Sequence, residues 1–426
     1  MRKNPERTAW VVLLSAFITF CVLCVGMILL VRWFVRESTV QLVVELAVSR
    51  NTVGVSVEGR PEETERVRRT LNERTTLTTD STSQAFITFR DPYSGRLLAS
   101  FTLLRDSAVI IQSANRPRFE AGASPYVVEL FGARGRGDVL IASGLERDIQ
   151  FRVRGAYDAM IELEPGGSYG VTLGGEQVGV AVRSGEARIG LATAQLWETV
   201  GQGQRAVVPG SNPEHAIEVS SARRNILVNN GFELYDPTGE GLPLLPSSWG
   251  CYNDNDEPDE PRGETVREFY DGRAVLHIRR AGENLSHAET GCRQLHSNLD
   301  VSAYSQLELR AVFYIAHQSI SSCGILGSEC PLMLRLVYAD VEGNIREWIH
   351  GFYSLYTIPE WPLTCNSCRQ DHERINGGTW YTYESGNLAT TLPADIRIHS
   401  LLEVRFYSSG HAYDVLVDEI SLLVMP

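Results

Sequence analysis

From Ala9 to Val31 the chain runs about 23 residues without a charged side chain, and a helix of that length reaches roughly 34 Å, enough to cross the hydrocarbon core of a bilayer. Trp10 and Trp33 stand at its two ends, where amphipathic rings favour the lipid–water boundary. A cleaved leader would have a shorter apolar core followed by small residues; here Arg32, Trp33, Phe34, Val35 and Arg36 follow. A buried core helix would show a polar face, and this run offers only Ser15, Thr19 and Gly26. The pattern predicts a tail over residues 1–8, a single transmembrane helix over 9–31, and a remainder tethered to a membrane. Cys21 and Cys24, inside the run, read as small apolar fillers.

Charge flanks the helix on both sides: Arg2, Lys3 and Arg7 before it, Arg32 and Arg36 after it. Cysteine usage gives the orientation. Cys251, Cys292, Cys323, Cys330, Cys365 and Cys368 all fall in the C-terminal half, an even set that suits an oxidising compartment. The tail is expected to be cytoplasmic and everything after about residue 37 extracytoplasmic.

At 426 residues the chain exceeds one ordinary domain once the helix is set aside. Residues 38–224 hold 21 Arg against 22 acidic residues, whereas 225–426 hold 13 against 28. The second part is a strongly acidic unit, unsuited to nucleic acid or an anionic membrane surface. The seam falls in residues 209–224, where Gly210-Ser-Asn-Pro213 opens a polar, turn-rich stretch. Both halves lack a long apolar period of 3.6 residues. They carry short alternating or β-branched runs instead, such as Ala85–Phe89, Tyr126–Leu130, Leu307–Phe313 and Val415–Leu422, the mark of an all-β chain.

Val48-Ser-Arg-Asn-Thr-Val-Gly-Val55, the stretch Leu77–Phe89, Asn115-Arg-Pro-Arg-Phe119, the Gly-Glu turn within Gly179–Ile189, and Thr199-Val-Gly-Gln-Gly-Gln-Arg-Ala-Val-Val208 resemble the extracytoplasmic domain of FecR-type proteins. The resemblance implies a FecR-like β domain over residues 41–208. Such proteins regulate through a cytoplasmic segment that engages a sigma factor, and the eight or so residues before the helix are too few to cover a partner's surface. An interaction or spacer module is therefore expected. Arg136-Gly-Asp138, amid Gly132, Gly135 and Gly137, reads as a hairpin turn.

Asn225-Ile-Leu-Val-Asn-Asn-Gly-Phe-Glu233, followed by Trp249 and closed by Val415-Leu-Val-Asp-Glu-Ile-Ser-Leu422, resembles galactose-binding-like jelly rolls, among them many carbohydrate-binding modules. The resemblance implies a jelly-roll β-sandwich over residues 225–426 whose opening and closing strands lie side by side. Glu233 and Asp418 would then hold a structural calcium ion with further oxygen ligands. Carbohydrate recognition follows as an expectation, carried by the aromatics Trp348, Tyr353, Trp361, Trp380, Tyr381 and Tyr383; packing in a β-sandwich core is the other reading of the same residues. In Trp380-Tyr-Thr-Tyr383 the strand period puts Trp380 and Thr382 on one face and Tyr381 and Tyr383 on the other.

Cys323 and Cys330 with Cys365 and Cys368 suit either two disulfides or a four-cysteine zinc site, with His372 near the second pair. The six-residue gap in the first pair favours disulfides, and Cys251 with Cys292 makes the third bridge. No Gly-x-Ser-x-Gly, phosphate loop or His-Glu-x-x-His is present, so no enzyme is expected. The function read from the sequence is a membrane-anchored, outward-facing binding protein whose partner is a polysaccharide or an envelope protein and not a nucleic acid. An envelope signalling regulator and a surface glycan hydrolase are the alternatives.

Overall fold

A computed structural model describes residues 5–425 apart from 59, 120–123, 175–176, 192, 194–195, 210–216, 236–247 and 283–284. The Gly210–Pro213 turn assigned to the linker lies outside the described residues. One helix, Pro5–Glu37, contains the apolar stretch Ala9–Val35, which is long and apolar enough to cross a membrane; near its end the Phe34 ring meets Phe119 at 5.9 Å. All else is β-structure apart from one short α-helix and two 3-10 turns.

The first β unit begins two residues after the helix, with Thr39–Gln41 and Val43–Arg50, and its strands close on themselves around one apolar core. Alternation builds that core: Val44, Leu46 and Val48 point inward from one strand, Phe101 and Leu103 from another. The strand Tyr126–Ile141 serves both walls. Its first half pairs in parallel with Ile149–Arg154 and its second half antiparallel with Ser168–Leu173. Between the two halves the register shifts at Gly132/Arg134, and Gly135 takes φ 93°, a conformation that glycine adopts without steric cost. Arg136-Gly-Asp138 thus follows that bend within one continuous, paired strand and is not the expected hairpin turn. The unit runs to Ser221, because Glu218–Ser221 pairs with Gln204–Pro209; part of the expected linker is its last strand.

The second unit is a sandwich of two sheets. One has the strand order Glu264–Tyr270, Arg273–Arg280, Tyr413–Met425, Gln306–Gln318, Trp380–Glu384, with Arg224–Asn225 beside the end of Tyr413–Met425. The other runs Gly250–Asn255, Ala288–Asp300, Ser400–Gly410, Leu332–Ala339, Ile345–Tyr353, Glu373–Arg374. Phe313, Val415, Leu334, Trp348 and Phe406 fill the space between them. The Asn230-Gly-Phe-Glu233 segment forms a turn where a strand was expected. Phe232 inserts from it into the core against Trp249 and Phe406, with ring centroids 5.7 and 5.6 Å away.

The two units meet along the outer face of the first of these sheets. Val275, Val312, Trp380 and Leu416 from the sandwich pack on Phe86 of the first unit. Trp380–Glu384 is an edge strand, a position that exposes unpaired backbone groups. Here Gln84 closes it: its side-chain amide donates to Thr382 O (2.9 Å) and accepts from Thr382 N (2.8 Å), while Ser49 Oγ donates to Trp380 O (2.7 Å).

Candidate functional site

A bulge on Tyr413–Met425 shapes the seam between the units. Val312 pairs with Glu419 and Phe313 with Val417, leaving Asp418 as the extra residue. Two successive acids therefore face the first unit. Asp418 pairs with Arg273 (2.5 Å), which also donates to Ser100 Oγ (2.7 Å); Glu419 pairs with Arg310, which reaches across to Asp138 (2.8 Å). Burial would raise the pKa of Asp138, but the Arg183 and Arg310 guanidinia overcome it and hold the carboxyl well below the usual range. At Asp418 burial prevails over Arg273 and the pKa is raised. Arg136 pairs with Glu384 (2.9 Å), so the Arg-Gly-Asp triplet is spent on the seam.

Burial sorts the six aromatic candidates. Trp348, Tyr381 and Tyr383 lie in the core between the sheets, Tyr381 donating to Glu373 (2.7 Å) and Tyr383 stacked on His350 at 5.0 Å. Tyr353 is buried beneath the disulfide-bonded loops and Trp380 against the first unit. Trp361 alone of the six keeps partial exposure. The two-faced split of Trp380/Thr382 and Tyr381/Tyr383 holds, but both faces are covered. As the ligand-contacting set expected from the sequence, Trp348, Tyr353, Tyr381 and Tyr383 are corrected to packing residues, because a sugar ring needs an accessible aromatic face.

The cysteines form three disulfides, Cys251–Cys292, Cys323–Cys330 and Cys365–Cys368. His372 sits between the last two, and with each pair forms a group whose ligand atoms lie within 4.8 Å of one another. Both of its nitrogens are engaged. Nδ1 accepts from Gly351 N (2.8 Å), and Nε2 donates to Gly327 O (2.7 Å). Burial pushes its pKa down to about 4, so the ring is neutral and ties the loop carrying Gly327 to the strand carrying Gly351. A Cβ on Gly351 would lie 2.2 Å from Cys330 Sγ and 2.9 Å from His372 Nδ1. Zinc at these residues would require both bridges to open and His372 to give up a hydrogen bond. Glu233 and Asp418 do not converge on a common cation either. Glu233 is exposed, its carbonyl taken by Arg267 (3.2 Å), while Asp418 turns toward the seam and Arg273.

The outer face of the second sheet is covered at Met333, Ile349 and Tyr407 by the disulfide-bonded loops, and beyond them it carries a row of arginines. Arg293, Arg405 and Arg335 stand in one register row across three adjacent strands. Tyr252 and Tyr407 share the neighbouring row, separated by Gly291. Acids lock these groups in place: Arg405 donates to Glu403 (2.6 Å) and pairs with Glu289 (3.3 Å), Arg335 pairs with Glu347, and Arg293 lies 3.7 Å from Glu403. The Tyr252 hydroxyl donates to Glu289, and the Arg405 guanidinium lies 5.1 Å from the Tyr252 ring centroid. Burial and then Glu289 push the Tyr252 hydroxyl pKa far up, keeping it a donor at any physiological pH. Sequence reasoning missed this face, since its residues come from five strands; the alternation of Tyr407, Arg405 and Glu403 along one strand was the available signal.

No family model matches the chain, and no curated protein does. Solved structures give remote similarities. A candidate anti-sigma factor from Parabacteroides distasonis is 16% identical over 34% of this chain and 59% of that one, with a TM-score of 0.25. The family 11 carbohydrate-binding module of a Clostridium thermocellum cellulase is 13% identical over 48% of this chain and 96% of that one, with a TM-score of 0.26. A family 61 module in complex with β-1,4-galactotriose is 14% identical over 47% and 99%, with a TM-score of 0.25. The chain thus spans about 59% of the anti-sigma factor structure.

Proposed function

We propose that this chain is a single-pass membrane protein, its tail cytoplasmic and its two β units outside, whose jelly roll binds a neutral polysaccharide on the Arg293–Arg405–Arg335 face. The observation that carries this reading is the division of labour between the two sheets. One spends its outer face on the first unit, which leaves the other as the open face. On that face guanidinium, carboxylate and phenol groups are held in fixed positions by one another, and fixed polar groups beside the partly exposed Tyr252 ring suit the hydroxyls and C–H faces of a sugar chain. Each of the three arginines already has a glutamate partner, so the face has no spare cation for a polyanion and a neutral chain fits best. Three disulfides outside the helix support the outward orientation. The FecR-like unit then acts as a stalk between membrane and recognition domain.

The test is binding of the full chain, in a detergent without sugar headgroups, to immobilised neutral polysaccharides. Arg405→Ala should weaken retention at least about tenfold, equivalent to about 1.4 kcal/mol. Absence of retention on every neutral polysaccharide would refute the reading and favour a protein partner.

A further inference from the structure

A second site lies in the seam itself. A half-open pocket of about 110 Å³ is walled by both β units, with Glu45, Arg68 and Phe86 from the first and Tyr270, Thr379 and Trp380 from the second. The space admits several waters and, being open on one side, can take a sugar ring against its wall.

Its walls are chemically mixed in a specific way. Tyr270, Tyr314 and Trp380 form an aromatic triad with centroids 5.7 to 6.3 Å apart. Arg273 lies 4.9 Å from the Trp380 ring centroid, while Tyr270 keeps 39% of its surface exposed. Thr379 is only 4% exposed, and its hydroxyl has no hydrogen-bond partner among the described residues. That hydroxyl is closed off by its surroundings, so the polar groups open to a ligand are those at the mouth of the pocket. Arg68 donates only to Gly378 O, at 3.3 Å, and Glu45 makes no described hydrogen bond. The Arg90–Asp271 pair (2.5 Å) also lines the pocket.

We propose that this pocket binds a single neutral hexopyranose unit, as a free monosaccharide or as the end of a glycan. Tyr270 covers one face of the ring, and Arg68 and Glu45 supply a donor and an acceptor at the mouth. The charged residues of the lining, Arg68 and Arg90 with Glu45 and Asp271, cancel in formal charge, which matches a neutral polyol better than an ion. Because each unit contributes half of the wall, occupancy also holds the two units together. The site is separate from the open face and does not rest on the reading proposed for it.

The experiment is ligand-observed NMR on the full chain in a detergent without sugar headgroups, with the methyl glycosides of glucose, galactose and mannose as probes, followed by short oligosaccharides. At least one methyl glycoside should bind saturably in the millimolar range. A preference for oligosaccharides joined through that sugar's anomeric carbon would identify a glycan end, and equal binding a free monosaccharide. Tyr270→Ala should lose at least about tenfold in affinity, since it removes the accessible aromatic face of the pocket. Arg68→Gln, at an exposed position, should weaken binding severalfold at unchanged stability. Arg405→Ala should leave this binding untouched. No saturable binding of any glycoside, or wild-type affinity in both Tyr270→Ala and Arg68→Gln, would overturn the proposal.

Discussion

Arg310 of the sandwich reaches Asp138 of the first unit at 2.8 Å, with both side chains largely excluded from solvent. The pair joins two regions 172 residues apart in sequence. Arg310 is also held by Glu419, and Asp138 by Arg183, so four charges alternate across the seam. Buried pairs of this kind add little over a well-packed apolar substitute, but removing one partner leaves the other charge stranded.

Asp138→Asn should therefore destabilise the chain by about 3–5 kcal/mol, read as a lowered midpoint in chemical unfolding. The sign of the pH dependence follows from the depressed carboxyl of Asp138. Its contribution is complete above the unfolded carboxylate pKa and fades as pH falls toward the folded one. Wild type and Asp138→Asn should converge in stability in strong acid; a constant gap down to the lowest accessible pH would contradict the assignment.

His277 behaves in the opposite sense. Its Nε2 lies 2.8 Å from Asp414 and its Nδ1 3.0 Å from Glu268. Burial works against protonation, but the hydrogen bond to Asp414 and the charges of both acids prevail and raise its pKa. The stabilisation is present below the unfolded histidine pKa and lost as pH rises through the folded value. In an NMR titration the His277 ring should show a midpoint above that of a free histidine, and Asp414→Asn should bring it down.

His372 gives the third case. Because it is neutral in the fold with its pKa near 4, stability should be full above the ordinary histidine pKa and decline as pH falls toward 4. His372→Ala should leave the disulfides intact while exposing the Cys323–Cys330 loop to proteolysis, since the tie to Gly327 is lost. Unchanged proteolysis would mean that the bridges alone hold the loop.

Disulfide removal should follow the length of chain each bridge encloses. Cys251–Cys292 spans 41 residues, Cys323–Cys330 spans 7 and Cys365–Cys368 only 3. On the chain-entropy model these correspond to about 4, about 2.5 and about 2 kcal/mol. Pairwise Cys→Ser variants should lose stability in that order. Thiol labelling of the unreduced protein should find none of the six reactive, with or without a chelator.

What the sequence disclosed was whatever depends on neighbours along the chain. Alternation of Val44, Leu46 and Val48, or of Phe313 and Ile315, gave strands and their buried faces; the spacing of Cys365 and Cys368 allowed their bridge. What it concealed depends on distant pairings. Trp380 and Tyr383 have the same local signature as ligand-contacting aromatics, and only the seam and the His350 stack assign them to packing. The bulge at Asp418 is invisible without the opposing Val312 and Phe313, and it decides that Asp418 meets Arg273 instead of a cation. Arg293, Arg405 and Arg335 are separated by 42 or more positions, and nothing in their own surroundings marks them as one row.

The Gln84 amide that closes the edge strand at Thr382, the Ser49 hydroxyl on Trp380 and the ion pairs at Arg273 and Arg310 have a mechanical meaning. If the open face holds a ligand and the helix spans a membrane, as proposed, a pull on that ligand would not travel along the covalent thread between the units. It would enter the first unit broadside, shared among many bonds that must fail together, and arrive at the strand that leads back to the helix. Under that proposal the two units would bear load as one lever.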